Sequence, residues 1–334
     1  MAKILLTGGA GYIGSHTYLA LIEAGFEVVI LDNFSNAKPD VPNRLHDISG
    51  GSVDVVEGDV LDCDVLDALF ADHKIDGVVH FAALKAVGES VQKPLDYMNT
   101  NVGGLLNLLC AMDRAGVRRI VFSSSATVYG DTNVQPIPED HARTYTSPYA
   151  FTKIAGEQIL EQLTDDWAVG ILRYFNPVGA HKSAIIGEDP EDTPNNLVPY
   201  MAKVATGDLA ELSVFGDDYD TPDGTGVRDY IHVEDLAEGH VLSLKSLIET
   251  GQSHTVNLGT GKGSSVFDVI KAYTDACGSE LAYKVAPRRD GDVAALIARP
   301  EKAKTMLGFE AKRTLADMCS SSWAWVSGQR KNSR

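Results

Sequence analysis

Along the first half of the chain, short apolar runs alternate with stretches whose apolar residues recur at helical spacing. The runs predict strands at residues 3–7, 27–32, 53–57, 77–81, 119–123 and 168–174. The stretches between them predict helices at 12–24, 62–72, 94–115 and 149–163. Strands that are apolar throughout are buried on both faces, and intervening helices supply the crossovers that parallel neighbours need. With right-handed crossovers the fold class is α/β, a doubly wound parallel sheet. Beyond about residue 175 the rhythm breaks. Segments rich in Gly, Pro, Asn and Asp, at 176–199 and 216–226, separate a strand at 255–258 from helices at 266–277 and 315–326. That composition predicts a smaller C-terminal α/β lobe whose loops close over a ligand. The expected division is 1–175, its sheet completed by later segments, and 176–334. There is no internal repeat, and the polar tail at 328–334 is expected to fray.

Where the first strand ends the pattern becomes Gly8-Gly9-Ala10-Gly11-Tyr12-Ile13-Gly14, followed by an apolar helix. Glycines at 8, 11 and 14 permit a tight turn, close approach of backbone to a pyrophosphate, and close helix packing. The helix N-terminus adds free N–H groups and partial positive charge. A glycine triplet alone also fits an ordinary turn. Here the strand before, the helix after, and Asp32 ending the next strand 18 residues past Gly14 agree on a Rossmann-type dinucleotide site. An acid there accepts from ribose hydroxyls and repels a 2′-phosphate, which favours NAD over NADP. Asp59, after the third strand, is placed for the adenine end, although alone it reads equally as a turn aspartate.

Charge narrows the partners. Among 334 residues, 46 Asp and Glu face 29 Lys and Arg, a formal charge of −17. This argues against a nucleic-acid or anionic-membrane surface. An apolar content of 44% without a long like-charged run excludes a disordered chain. No run approaches the roughly 18 apolar residues of a membrane span. The opening M-A-K-I-L-L-T-G-G-A-G has too short an apolar run for a signal peptide and passes directly into the glycine motif. Four cysteines (Cys63, Cys110, Cys277, Cys319) lie far apart and read as reduced, mostly buried thiols, with the cytoplasm as the expected compartment. No metal is expected. The histidines show no H-x-x-x-H pair, and the acidic run at 217–220 lacks the Gly and Glu of a calcium loop, so it reads as a solvated turn.

Tyr149-Ala150-Phe151-Thr152-Lys153 sets a phenol and an ammonium at i and i+4 on one helix face, just after Ser147-Pro148. A phenol with a pKa near 10 is a poor base at neutral pH. A nearby cation and a positively charged nicotinamide would favour the phenolate and bring it into working range. The strand at 119–123 leads into Ser123-Ser124-Ser125-Ala126-Thr127, hydroxyls at the carboxyl edge of the sheet, where such folds bind ligands. A lone Tyr–Lys pair is most often a surface contact. The glycine motif upstream and the serine run reverse that reading.

Seven ordered blocks (T-G-G-A-G-Y-I-G-S-H, F-A-A-L-K-A-V-G-E-S-V, F-S-S-S-A-T-V-Y-G, L-R-Y-F-N-P-V-G-A, P-N-N-L-V-P-Y, G-T-G-V-R-D-Y-I-H-V and A-P-R-R-D-G-D) span nearly the whole chain. They resemble the extended short-chain dehydrogenase/reductase superfamily and, more narrowly, the UDP-glucose 4-epimerase family. The resemblance implies an NAD-dependent enzyme acting on a UDP-hexose. In it Tyr149 takes the proton of the 4-hydroxyl while hydride passes from C4 to NAD. Lys153 holds the tyrosinate and nicotinamide ribose, and Ser125 bonds the reacting oxygen. The 4-keto sugar turns and receives hydride on its other face, so net redox is zero and tight cofactor retention follows. The resemblance places the cofactor against Gly8, Gly11, Tyr12, Ile13 and Gly14, and against Asp32, Asn33, Asp59 and Val60. It adds Phe81, Ala82, Ala83, Lys85, Thr100, Asn101, Ser123, Tyr149, Lys153 and Phe175. Substrate contacts carry over to Lys85, Ser125, Thr127, Tyr149, Asn176, Asn196, Leu197, Phe215, Arg228, Arg289, Asp292 and Leu296. Two arginines suit a pyrophosphate, since a guanidinium fork matches phosphate oxygens; each also fits a solvated surface cation. Asn195-Asn196 also fits a helix cap. A homodimer through a four-helix bundle is implied by the helices at 94–115 and 149–163.

Three positions depart from the family pattern. Leu296 stands where glucose/galactose enzymes usually carry a bulky tyrosine beside the sugar's C2, which suggests partial activity on UDP-N-acetylglucosamine. Arg299-Pro300 replaces an aspartate that often opens a local turn. Thr100-Asn101 replaces a paired asparagine, leaving open which of the two meets the cofactor. Two competing readings remain. A nucleotide-sugar 4,6-dehydratase or decarboxylase needs an extra carboxylate where Ala126 and Thr127 stand. A non-catalytic NAD-binding regulator would be expected to have lost Tyr149, Lys153 or Ser125. His232, in Y-I-H-V, reads as a satisfied core residue.

Overall fold

A computed structural model describes residues 1–189, 196–289 and 291–332. The strands are β1 (Lys3–Thr7), β2 (Glu27–Asp32), β3 (Asp54–Glu57), β4 (Gly77–His80), β5 (Arg119–Ser125), β6 (Ala168–Tyr174), β7 (Asn176–Val178), β8 (Leu212–Phe215), β9 (Val227–His232), β10 (His254–Leu258), β11 (Gly263–Ser265), β12 (Tyr283–Ala286) and β13 (Ala295–Leu296). Seven of them form one parallel sheet in the order β10-β6-β5-β4-β1-β2-β3. The chain winds outward from β1 to β3, then returns to β4 on the other side of β1. The crevice beyond the carboxyl ends of β1 and β4 is therefore the topological switch point, where such sheets bind ligands.

Strand alternation explains the two covered faces. On β1, Ile4 and Leu6 enter one apolar core, which α1 (Tyr12–Glu23) shares with the later helix Val233–Thr250. Leu5 enters the opposite core with side chains of α2 (Cys63–Asp72) and α3 (Gly104–Ala115). A third cluster, with Met201, Leu212, Val269, Tyr273 and Met318, draws only on residues from Val178 onward. Outside the large sheet, β9 pairs with β7, β11 and β13, while β8 pairs with β12. Among the described residues no helix is long and apolar enough to cross a membrane.

The structure departs from the sequence reading at several places. The strand at 255–258 is not isolated: as β10 it pairs with β6 and forms the sheet's edge. β5 runs two residues further, because Ser124 and Ser125 stay in register with Arg173 and Tyr174. The helix expected at 94–115 is interrupted by a π-turn at Met98–Gly103, and the helix at 149–163 is α4 (Pro148–Leu160). The polar tail is helical to Asn332, where Arg330 ties its last turns to Asp208 and to the Thr206 carbonyl. Of the four thiols, all free, only Cys319 is buried. Cys63 opens α2 at the surface, and Cys110 lies on the side of α3 opposite its packed leucines. Arg299 donates its amide to the Ile137 carbonyl and Pro300 caps a short helix, Glu301–Leu307, so this departure from the family pattern is structural. In the acidic run Tyr219 is buried and Asp218 pairs with Arg288, so it is more than a solvated turn.

Burial pulls His16 and His80 down to about 3, and His232 and His240 down to about 4. Unfolded histidines bind protons near pH 6.5. Between these values the unfolded chain holds protons that the folded chain lacks, so stability is complete above about pH 6.5 and is lost on acidification. We expect the urea midpoint to fall from pH 7 to pH 5, above the ordinary carboxylate range. Each such histidine contributes up to about 1.4 kcal/mol per pH unit. A midpoint that holds or rises over this interval would refute the assignment.

Candidate active site

The glycine turn is shaped by what its residues lack. Gly8 takes φ +69°, and a Cβ there would lie 2.7 Å from the Ala82 amide nitrogen. A Cβ on Gly14 would overlap the Gly8 carbonyl oxygen. The first helical bond of α1 runs from Ser15 N–H to Gly11 C=O, and no side chain caps the helix. The amides of Tyr12, Ile13 and Gly14 therefore have no acceptor among the described residues. Three free N–H groups at the positive end of a helix dipole fit a pyrophosphate. In front of them lies a half-open cavity, lined in part by Gly11, Tyr12, Asn36, Lys38 and Lys85.

Asp32 is buried at the end of β2, and its two oxygens accept from the Ala10 and Phe34 amides, each at 2.9 Å. Burial raises its carboxyl and these amides oppose the rise. A carboxylate with about four lone-pair sites keeps capacity for a ribose as well. Asn33 donates to Asp59 at 2.7 Å, so the two expected adenine-end residues are joined. Val60 is buried, packed where Gly104 leaves room, and Phe81 lies 4.8 Å from His240. Ala82 and Ala83 follow β4 at the switch point. Asn101, in the π-turn, is committed: it exchanges bonds with Leu84 N–H and C=O at 2.8 and 3.0 Å and donates to Thr152 at 3.0 Å. It shapes the loop before Lys85, while Thr100 stays half-buried.

Ser147 caps α4, accepting from Ala150 N–H at 3.2 Å, and Pro148 presets the first turn. Tyr149 and Lys153 therefore point the same way, toward the end of β5, and both are buried. Lys153 Nζ donates to the Ser123 carbonyl at 2.7 Å and sits 5.8 Å from the centre of the Tyr149 ring. Ser125 Oγ accepts from the Thr127 amide (3.2 Å) and hydroxyl (3.0 Å). Burial pushes the Tyr149 phenol up to about 12, against a lowering hydrogen bond with Ser125, and brings Lys153 down to about 8. In the chain alone, desolvation of the phenolate is the dominant effect on Tyr149.

Across the second lobe, Asp292 accepts from Arg289 at 2.9 Å and lies 3.9 Å from Arg228; the Arg289 guanidinium covers Phe215 at 4.8 Å. These four expected substrate residues form one group, with Arg228 also donating to the Val227 carbonyl. Leu296 pairs with Arg228 in the sheet and packs against the apolar cluster that includes Ala126, Val128 and Phe175. It thus joins the arginine group to the serine turn, and Phe175 is a core residue of that junction. Asn176 lies on β7 opposite Tyr230. Asn196 stands at the cap position before Leu197 but makes no capping bond; its amide donates to Glu188 at 2.8 Å. Asn195 lies outside the described residues. His232 is satisfied, accepting from Glu234 N–H and bonded to Ser321.

Three residues were missed in the sequence. Tyr174 ends β6, where burial raises its phenol and the nearby Tyr149 raises it further. Glu188 is taken up below. Glu157, fully buried one turn past Lys153, accepts from Ser124 Oγ (2.5 Å), Arg173 (2.9 and 2.7 Å) and Arg143 (3.0 Å). Its signal was present: Tyr149, Lys153 and Glu157 recur every fourth residue on one helix face.

Residues 4–259 match the model of the NAD dependent epimerase/dehydratase family. The UDP-glucose 4-epimerase of Bacillus subtilis is 53% identical over 97% of this chain and 96% of its own length. That of Yersinia pestis is 52% identical over 97% of both. A crystal structure of UDP-glucose-4-epimerase from Stenotrophomonas maltophila with bound NAD and formylated UDP-arabinopyranose superposes with a TM-score of 0.97, at 47% identity, covering 99% of this chain and 100% of that one. The enzyme from Bifidobacterium longum in complex with NAD+ and UDP gives 0.94 at 47% identity, covering 98% and 99%.

Proposed function

The chain belongs to the NAD dependent epimerase/dehydratase family, and from that premise we propose that it inverts C4 of a UDP-hexose, interconverting UDP-glucose and UDP-galactose. One observation carries this reading. Tyr149, Lys153 and Ser125 meet at the carboxyl end of β5, two places along the sheet from β1 and its glycine turn, and Leu296 joins them to the Arg228–Arg289–Asp292 group. The free amides of the turn and Asp32 would hold NAD, which would supply the hydride acceptor and donor of a reaction with zero net redox. Tyr149 takes the proton of the 4-hydroxyl and gives it back. Ser125 holds the reacting oxygen, with Thr127 fixing the serine rotamer. Lys153, charged for the most part at neutral pH, supplies the positive field beside the phenol, to which a bound cationic nicotinamide would add. Arg228 and Arg289 meet the diphosphate, with Asn176, Asn196, Leu197 and Phe215 around the nucleotide.

A 4,6-dehydratase is disfavoured because Ala126 has no acid group and the Thr127 hydroxyl is engaged by Ser125. A regulator is disfavoured because the catalytic trio is intact. The proposed assembly is a homodimer through a four-helix bundle, supported by exposed apolar side chains at Leu95, Leu106 and Phe151 on the helices involved; sedimentation as a monomer would count against it. Four free thiols suit the cytoplasm.

The decisive experiment incubates the purified protein with UDP-galactose and no added NAD. UDP-glucose is the expected product, and no product would overturn the reading. With UDP-N-acetylglucosamine we expect slower but measurable turnover, because leucine at 296 leaves more room than tyrosine. Turnover of UDP-galactose with none of the acetamido sugar would refute that part alone.

A further inference from the structure

The cavity before the glycine turn is bounded on its far side by residues 185–189 of the second lobe. Two acids at the end of this segment reach back to lysines of the first unit: Asp189 to Lys38 at 2.5 Å and Glu188 to Lys85 at 3.7 Å. The segment is anchored along its length. Gly187 bridges to Ala180, Arg44 donates to the Ile185 carbonyl at 3.4 Å, and Trp325 Nε1 donates to the Glu188 carbonyl at 3.3 Å. Gly187 lies against the Trp325 indole so closely that a Cβ would come 2.6 Å from the ring. Arg44 stacks on the same indole at 5.1 Å. Tyr12, inside the turn, donates to the Gly179 carbonyl at 2.7 Å and closes the same boundary from within.

We propose that residues 185–189 form a clamp across the dinucleotide cavity, locked by Lys38–Asp189 and Lys85–Glu188 and backed by Trp325, and that this clamp sets the rate at which NAD leaves. The proposal rests on the NAD reading above and adds to it the residues that govern retention. In a reaction with zero net redox the cofactor has no need to exchange. A ligand behind two interlobe ion pairs leaves only when the segment swings away. The Lys38–Asp189 pair is about two-fifths exposed on each side, so its own contribution is that of a surface pair. The backbone seat on Trp325 holds the segment more firmly, since no atom can be added there without displacing it.

The test follows NAD release from the holoenzyme with a dehydrogenase trap that reduces whatever NAD is set free. Lys38→Met and Asp189→Asn should each release NAD about threefold to fivefold faster than wild type, the range of an exposed ion pair. The exchanged pair Lys38→Asp/Asp189→Lys should return toward the wild-type rate. Gly187→Ala should release it at least about tenfold faster, equivalent to the tenfold step of an equilibrium. Single variants that release NAD at the wild-type rate, or an exchanged pair no slower than the singles, overturn the clamp. A wild-type protein that binds no NAD overturns the cofactor reading and the clamp with it.

Discussion

Replacing Tyr149 by phenylalanine lowers kcat by about 10²- to 10⁴-fold, the contribution of a positioned acid–base group, and leaves bound NAD and the fold intact. The substitution removes one oxygen and keeps the ring. That ring is buried on the helix Pro148–Leu160, whose start is set by the Ser147 cap and Pro148, neither of which involves the hydroxyl. Lys153 keeps its bond to the Ser123 carbonyl, and Ser125 keeps both bonds from Thr127. A purely structural tyrosine predicts the reverse pattern, a small change in stability and an unchanged rate. The rise of the phenol to about 12 sharpens the test. The chain alone presents a protonated phenol, so proton removal depends on substrate and cofactor being seated together, and the loss should appear in kcat rather than KM. Turnover of UDP-galactose by the variant within tenfold of wild type would refute the assignment, and the ultraviolet spectrum of the purified protein reports whether NAD remains.

Much of this site was legible because chemistry and local structure coincide in sequence. Gly8, Gly11 and Gly14 are spaced by the turn they build, Asp32 ends the strand beside it, and Tyr149 and Lys153 share one helix face. What escaped was non-local. The direction of the Tyr149 shift depends on how deeply the folded chain buries the phenol, which no local pattern reveals. The bonds of Asn101 to Leu84 and Thr152 are equally non-local, since they join the π-turn to a loop and a helix distant in sequence. Glu188 sits in a loop with no periodicity, and its role emerges only when Lys85, from a distant loop, and the Asn196 amide converge on it. β10 shows the same limit at the level of the fold. Its apolar run was visible, but its place beside β6 is fixed by the packing of the helix Val233–Thr250 that precedes it, so it first read as an isolated strand.

Replacing Glu157 by leucine should lower the free energy of unfolding by about 3–5 kcal/mol, the cost of stranding one half of a buried ion pair. Glu157 is fully buried and accepts twice from Arg173, a buried residue of β6 that is also bonded to Tyr129 and to the Glu139 carbonyl. Without the carboxylate the Arg173 guanidinium keeps its burial and loses its charge partner. Arg143 suffers less, since it retains two bonds to Glu161 at the surface. The double variant Glu157→Leu/Arg173→Met should recover much of the loss, because apolar replacement of a whole buried pair is often neutral. Urea midpoints of the two single variants and the double variant separate this from simple loss of packing, and a Glu157→Leu midpoint close to wild type would refute it. The effect reaches the chemistry through Ser124. Its hydroxyl donates to Glu157, and its neighbours on either side are Ser123, whose carbonyl holds Lys153, and Ser125, which bonds Tyr149. One carboxylate thus fixes the end of β5 against the helix that carries the acid–base pair. The double variant should therefore regain stability without regaining full turnover, since Ser124 is left with no acceptor from that helix.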